Sequence, residues 1–198
     1  MYAAERDTPR GQAERSNYRA LSALLDLHRV KFIDESGINL AMTRLYGRAP
    51  RGERAVGSAP RNYGQNVTVL GALSCTGREA AMMIEGATDS DVFRAYVREV
   101  LCPTLRPGDL VIADNLSAHK AAGVQEAITA TGGRRLYLPP YSPDLNPIER
   151  CWSKIKTFLR ATKARTREAL DAAIVCALAT VTESDARAWF AHSGYVLH

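Results

Sequence analysis

Apolar residues along this chain fall into short blocks whose spacing alternates between two and three-to-four, the signature of strands interleaved with helices. A partial helical period at Leu21, Leu24, Leu25 and Leu27 predicts one N-terminal helix over residues 14–28. Val30-Lys31-Phe32-Ile33-Asp34 reads as an apolar strand closed by an acid. Two further strands follow, NVTVLGALS (66–74) and EAAMMIEG (79–86), joined by a turn at Cys75-Thr76-Gly77-Arg78. Val92, Phe93, Tyr96, Val97, Val100 and Leu101 lie on one face of a predicted helix over 89–105, which Pro107-Gly108 stops. DLVIAD (109–114) has the unbroken apolar character of a central buried strand, and it too ends in an acid. A helix over 118–131, a strand over 135–138, a long helix over 147–162 and a last helix over 167–182 complete the pattern. Strands first, then alternating strands and helices, predict an α/β fold with a mixed sheet flanked by helices.

Between these elements, residues 37–63 are rich in Gly, Pro and Arg and lack periodicity, so they read as a long loop or arm. Loops of that length are functional or disordered far more often than not. The hydrophobic fraction of 46% and the charged fraction of 24% belong to an ordinary folded chain. No apolar run is long enough for a membrane span, and the first residues carry acids where a secretion signal would be apolar, which predicts a soluble, cytoplasmic protein. Cys75, Cys102, Cys151 and Cys176 are widely separated, which argues against a zinc site or a disulfide framework.

The net charge of +5 conceals a segregation. Arg44, Arg48, Arg51, Arg54 and Arg61 share their segment with the single acid Glu53. Arg150, Lys154, Lys156, Arg160, Lys163, Arg165 and Arg167 share theirs with none, so the rest of the chain is acidic. Two basic segments on an acidic body suit a polyanionic partner, although solvated Arg-rich surface would look the same.

Three acids stand at element ends: Asp34, Asp114 and Glu149, the last in the first turn of the long helix. In an open α/β sheet, ligands collect beyond the carboxyl ends of the strands, where Asp34 and Asp114 meet if their strands are neighbours. Carboxylates crowded in this way repel one another unless cations neutralise them, and hard oxygen donors select Mg²⁺ or Mn²⁺. Two such ions form the clamp used in phosphodiester displacement. Taken singly, each strand-end Asp reads first as the start of a turn, and Glu149 reads as the third residue of a helix capped by Asn146 with Pro147 at its first position. Glu35 is set aside as a ligand, because neighbours on a strand point to opposite faces. Asp109 and Asp144 read as turn residues, and Trp152, Ile155, Phe158 and Leu159 as the core stripe of the long helix.

The strings FIDESG (32–37), LYGRAPRGER (45–54), IADNLSAHK (112–120) and YLPPYSPDLNPIERCWSKIK (137–156) resemble the catalytic domain of mariner-type DDE transposases, in their bacterial insertion-sequence branch. Thirty-four residues separate Asp114 from Glu149, the spacing of that group. The resemblance implies an RNase H-like fold with a five-stranded sheet over 30–198, preceded by a helical arm over 1–29. It assigns Asp34, Asp114 and Glu149 as catalytic, metal-holding acids, with two Mg²⁺ or Mn²⁺ ions as cofactor. The implied activity is cleavage at transposon ends followed by transfer of the 3′-hydroxyl into target DNA. Double-stranded DNA and a second copy of the chain are the implied partners.

The loop over 37–63 would act as a clamp, with Arg44, Arg48, Arg51 and Arg54 toward DNA or a partner subunit. His119 would approach the scissile phosphate or orient a carboxylate, or else be a surface imidazole. Asn115 would hydrogen-bond the site or cap a turn. Lys154, Lys156, Arg160 and Lys163 would be exposed for phosphate contacts. Only 33 residues precede Asp34, so the helix-turn-helix units that read transposon ends in this family are expected to be missing from this polypeptide. A stand-alone RNase H-like nuclease and a catalytically silent DNA-binding remnant of a transposase are the competing readings.

Overall fold

The computed structural model describes residues 4–196. Five strands form one sheet: β1 (Val30–Ile38), β2 (Val67–Ser74), β3 (Gly77–Glu85), β4 (Leu110–Ala113) and β5 (Arg134–Tyr137), in the order β3-β2-β1-β4-β5. The first three strands are antiparallel neighbours, while β4 runs parallel to both β1 and β5. Every residue of β2 and of β4 is buried, as expected for strands covered on both faces.

Alternation along β1 divides the core. Phe32 and Ile38 face a cluster built with α4 (Ile148–Thr162), α5 (Arg167–Ala179) and α6 (Glu183–His192). Ile33 faces the opposite cluster, built with α2 (Ser90–Tyr96) and α3 (Val124–Ala130). Helix α4 lies against the sheet because Ile148, Cys151, Trp152, Ile155 and Leu159 recur at helical spacing on one face. Phe32 meets Phe190 and Tyr195 edge-on, and the three ring centroids lie 5.2–5.8 Å apart.

Several elements depart from the sequence reading for local reasons. The N-terminal helix, α1, spans Pro9–Ser22 rather than 14–28, because the Thr8 hydroxyl caps it and Pro9 occupies its first position. The helix expected over 89–105 is α-helical only to Tyr96 and then widens into π and 3₁₀ turns ahead of Pro107. The helix expected over 118–131 is broken at Gly123, whose φ of 85° leaves a 3₁₀ turn at Ala118–Lys120 and a shorter α3. The last expected helix stops at Ala179, and a sixth begins after Thr182, which forms a reciprocal capping box with Asp185. Strand β1 runs on to Ile38, so the irregular segment begins two residues later than expected and lasts to Asn66. Among the described residues, no helix is long and apolar enough to cross a membrane.

Candidate active site

Parallel pairing of β1 with β4 sets the site. Phe32 pairs with Ile112 at the end of the parallel ladder, and two residues further along each chain come Asp34, still within β1, and Asp114, just past the carboxyl end of β4. Glu149 enters from the first turn of α4. A cleft of about 450 Å³ opens here, lined by Asp114, Asn115, the turn Leu138–Pro143, Asn146 and Glu149.

Asp34 is only 8% exposed and is held against Asn146 and Trp152 at the start of α4. Its Oδ1 accepts the Glu35 amide at 2.9 Å, and its Oδ2 accepts the Trp152 indole N–H at 3.3 Å and the Asn146 carboxamide at 3.5 Å. These are few and long bonds for a buried charge. Burial, followed by the Glu149 charge, pushes the Asp34 carboxyl up to about 8, with Glu35 and Asp114 adding to the effect.

The Trp152 ring reaches Asp34 because Gly71 lies opposite Asp34 in β2 and a Cβ there would come within 3.0 Å of the indole. Gly71→Val is expected to destabilise the protein by about 1–3 kcal/mol through overpacking. A urea unfolding midpoint checks the loss, and a shift of tryptophan emission checks the displaced ring.

Asp114 has a different neighbour. His119 is fully buried, stacked on Phe93 with ring centroids 4.3 Å apart. Its Nδ1 lies 2.7 Å from Asp114 Oδ1 and its Nε2 lies 2.8 Å from Glu35 Oε2. Burial alone would lower the imidazole's pKa, but the two carboxylates outweigh it and raise it to about 9. For Asp114, burial is outweighed in turn by the close His119 imidazole and the Leu116 amide, which hold the carboxyl below its usual range. Partial desolvation raises the Glu149 carboxyl, the Lys156 ammonium opposes the shift, and the Asp114 charge adds to it.

His119 is therefore not a surface imidazole: it is buried, with a carboxylate against each ring nitrogen. Asn115 does not cap a turn. Its carboxamide donates to the Leu138 carbonyl and ties the end of β4 to that of β5. Glu35 lies on the opposite face of β1 from Asp34, as alternation requires, but it is coupled to Asp114 through His119. Nor does Asn146 cap α4: its side chain turns to Asp34, and its Oδ1 is buried without a hydrogen-bond partner among the described residues. Trp152 is core, as expected, and also a donor to Asp34. The one sequence signal for this last role was an indole N–H on the buried stripe of α4, which must find an acceptor.

The basic residues divide. Arg44, Arg48, Arg51 and Arg54 are exposed on the irregular 39–66 segment. Lys163 is exposed in the left-handed cap of α4, and Lys156 and Arg160 are half-buried on its flank. Lys154 is half-buried, and its ammonium contacts Asp185 at 2.5 Å and the Thr180 carbonyl at 2.8 Å. Arg165 donates to the carbonyls of Leu40 and Met42 and so anchors the base of the Arg-rich segment to the start of α5.

A family model described as "DDE superfamily endonuclease" matches residues 29–171. The chain belongs to the DDE superfamily endonucleases. It has an RNase H-like fold, seen also in solved structures of Mos1 transposase. The Mos1 paired-end complex with left transposon end superposes with a TM-score of 0.77 at 16% identity, over 96% of this chain and 60% of that one. For the Mos1 strand transfer complex the values are 0.76 and 16%, over 96% and 59%. The isolated catalytic domain of Mos1 mariner transposase gives 0.66 and 15%, over 96% and 90%. This chain thus spans about 60% of the length of the transposase chains in those complexes. No curated protein matches it.

Among the described residues, no three His, Cys, Asp or Glu side chains are gathered closely enough to hold a metal ion as they stand. The donor chemistry of this DDE endonuclease nevertheless fits a hard divalent cation. Asp34 is a buried acid with no cationic partner among the described residues to balance its charge, and the Asn146 carboxamide oxygen beside it is buried and unpartnered there.

Proposed function

We propose that this chain is the catalytic domain of a DNA transposase, cutting DNA at transposon ends and joining the freed 3′-hydroxyl to target DNA. Residues 30–198 form the catalytic unit in this reading and residues 1–29 its N-terminal arm. Asp34, Asp114 and Glu149 hold two Mg²⁺ or Mn²⁺ ions. Such ions, when bound, supply Lewis acidity to the attacking and leaving oxygens of an in-line displacement. The single observation that carries the reading is the parallel register of β1 and β4, which sets Asp34 and Asp114 the same two residues beyond the Phe32–Ile112 pair, with Glu149 in the first turn of α4. Solved Mos1 paired-end complexes with Mn and with Mg support the same choice of ion.

The chain's own residues divide the work. His119 fixes the orientation of Asp114, and Trp152 and Asn146 fix that of Asp34. The turn over 138–143 walls the cleft in which the scissile phosphate would lie. Arg44, Arg48, Arg51, Arg54, Lys156, Arg160 and Lys163 contact DNA phosphates, and two copies of the chain pair two ends.

Nicking of supercoiled plasmid in Mn²⁺ by the wild type, absent from Asp114→Ala, tests the site. Joining of a pre-cleaved 3′-hydroxyl oligonucleotide to plasmid separates a transposase from a simple nuclease. Nicking that is the same in both proteins would refute the assignment of Asp114. Binding to DNA is expected to be non-specific, with log Kd linear in log salt. Replacing Arg44, Arg48, Arg51 and Arg54 together by Ala should shallow that slope by about 1 for each phosphate no longer neutralised, which fluorescence anisotropy across a salt series measures.

A further inference from the structure

Helix α1 carries a buried cation. Arg15 is 5% exposed, and its guanidinium reaches across the molecule to the turn that leads into α4. Nη1 donates to Ser142 Oγ at 2.6 Å and to Asp144 Oδ1 at 3.0 Å, while Nη2 donates to Asp144 Oδ2 at 2.6 Å. This is the paired geometry that gives an Arg–carboxylate contact its directional specificity. One turn further along α1, the hydroxyls of Tyr18 and Tyr195 lie 2.8 Å apart, and Tyr195 donates to the Leu145 carbonyl at 2.7 Å. Side chains from near both ends of the described chain therefore grip one seven-residue turn, 140–146.

That turn needs holding. Tyr141 sits within it at a φ of 54°, a left-handed conformation unfavourable for a side chain of that size. The turn delivers two groups to the site: Asn146, which faces Asp34, and Glu149, whose amide donates to the Asn146 carbonyl at 3.2 Å. Burial alone would raise the Asp144 carboxyl, but the hydrogen bond and charge of Arg15 outweigh it and hold the group below its usual range.

We propose that Arg15, with Tyr18 behind it, is a positioning residue for the reaction: α1 braces the 140–146 turn and so sets Glu149 and Asn146 against Asp34. The N-terminal arm is then a working part of the catalytic unit and not a tether. Any movement imposed on the arm by what binds it reaches the active-site helix through a contact with little slack. The proposal deepens the catalytic reading above and rests on it.

The test uses the full chain with Arg15→Ala, Arg15→Lys, and Arg10→Ala as an exposed control on the same helix. Plasmid nicking in Mn²⁺ is measured with kcat and KM separated, and amide hydrogen exchange is followed at Leu145, Asn146 and Glu149. Arg15→Ala is expected to lower kcat by about 100-fold with KM for DNA unchanged, the scale expected of an ångström-sized misplacement. Exchange should accelerate at the three amides while β1 and β4 stay protected. Arg15→Lys keeps the charge without the fork and should recover part of kcat, and Arg10→Ala should match the wild type. If Arg15→Ala is too unstable to assay, Arg15→Lys carries the same comparison. An unchanged kcat, or protection lost equally throughout the sheet, would overturn the bracing role. If the wild type itself nicks no DNA, the catalytic reading fails, while faster exchange confined to the turn would still support the brace and unchanged exchange would still refute it.

Discussion

Asp34→Asn is expected to reduce Mn²⁺-dependent nicking by at least about 10²–10³-fold, the scale of removing one organised electrostatic group from an active site. The same substitution should make the metal-free protein more stable. The sign follows from linkage. With the folded carboxyl raised to about 8 and the unfolded one near 3.8, the folded state holds a proton that the unfolded state releases between those values. Stability contributed by this group is therefore present at low pH and declines as pH rises from about 4 to 8. Asn has no such titration, so the gain of Asp34→Asn over the wild type should be small at pH 4 and on the order of 5 kcal/mol at pH 7.5. Divalent cation should close the gap from the other side, raising the melting temperature of the wild type and leaving the variant unmoved. Thermal unfolding at the two pH values, with and without Mn²⁺, reads all three effects. A variant less stable than the wild type in metal-free buffer at pH 7.5 would mean that Asp34 is a structural acid.

The sheet was legible in the sequence because its signals are local. Val30–Asp34, apolar but for Lys31, and the apolar run Leu110–Ala113 before Asp114 both end in acids, and their burial follows from that pattern. The three acids could be named for the same reason, and the resemblance to DDE transposases joined them. What the sequence concealed was long-range. Nothing near His119 reveals that its partners are Asp114, five residues away, and Glu35, on another strand. The alternation rule correctly put Glu35 on the far face from Asp34, but it could not show that an imidazole would join that face to Asp114. The capping pattern at Asn146-Pro147 was misleading in the same way: a side chain suited to close a helix is directed instead to a buried carboxylate 112 residues earlier. Gly71 carried no signal at all, since only the approach of Trp152 explains it. Helix α6 was a different failure, because Thr182 and Asp185 carry a capping box that can be read from sequence alone.

His119→Ala is the second substitution with a large expected effect, and it tests the part of the site that the sequence did not reveal. Removing the imidazole leaves Asp114 and Glu35 facing a cavity with their common cation gone, and Phe93 loses the ring stacked on it. Breaking a buried ion pair from one side costs about 3–5 kcal/mol, and partial exposure of Asp114 places this site at the lower end. The loss has a characteristic pH dependence. A folded His pKa raised to about 9 means that the imidazolium's contribution is complete below the unfolded value near 6.5 and disappears as pH rises through 9. The stability difference between wild type and His119→Ala should therefore be largest near pH 6 and shrink steadily toward pH 10, leaving only the packing loss. His119→Gln can still donate one hydrogen bond but carries no charge, so it should recover the packing and not the pH dependence. Denaturant titrations of the three metal-free proteins at pH 6, 8 and 10 measure this directly. A difference that stays constant across that range would show the imidazole to be neutral in the folded state, and Asp114 would then lack the charged partner that holds its carboxyl low.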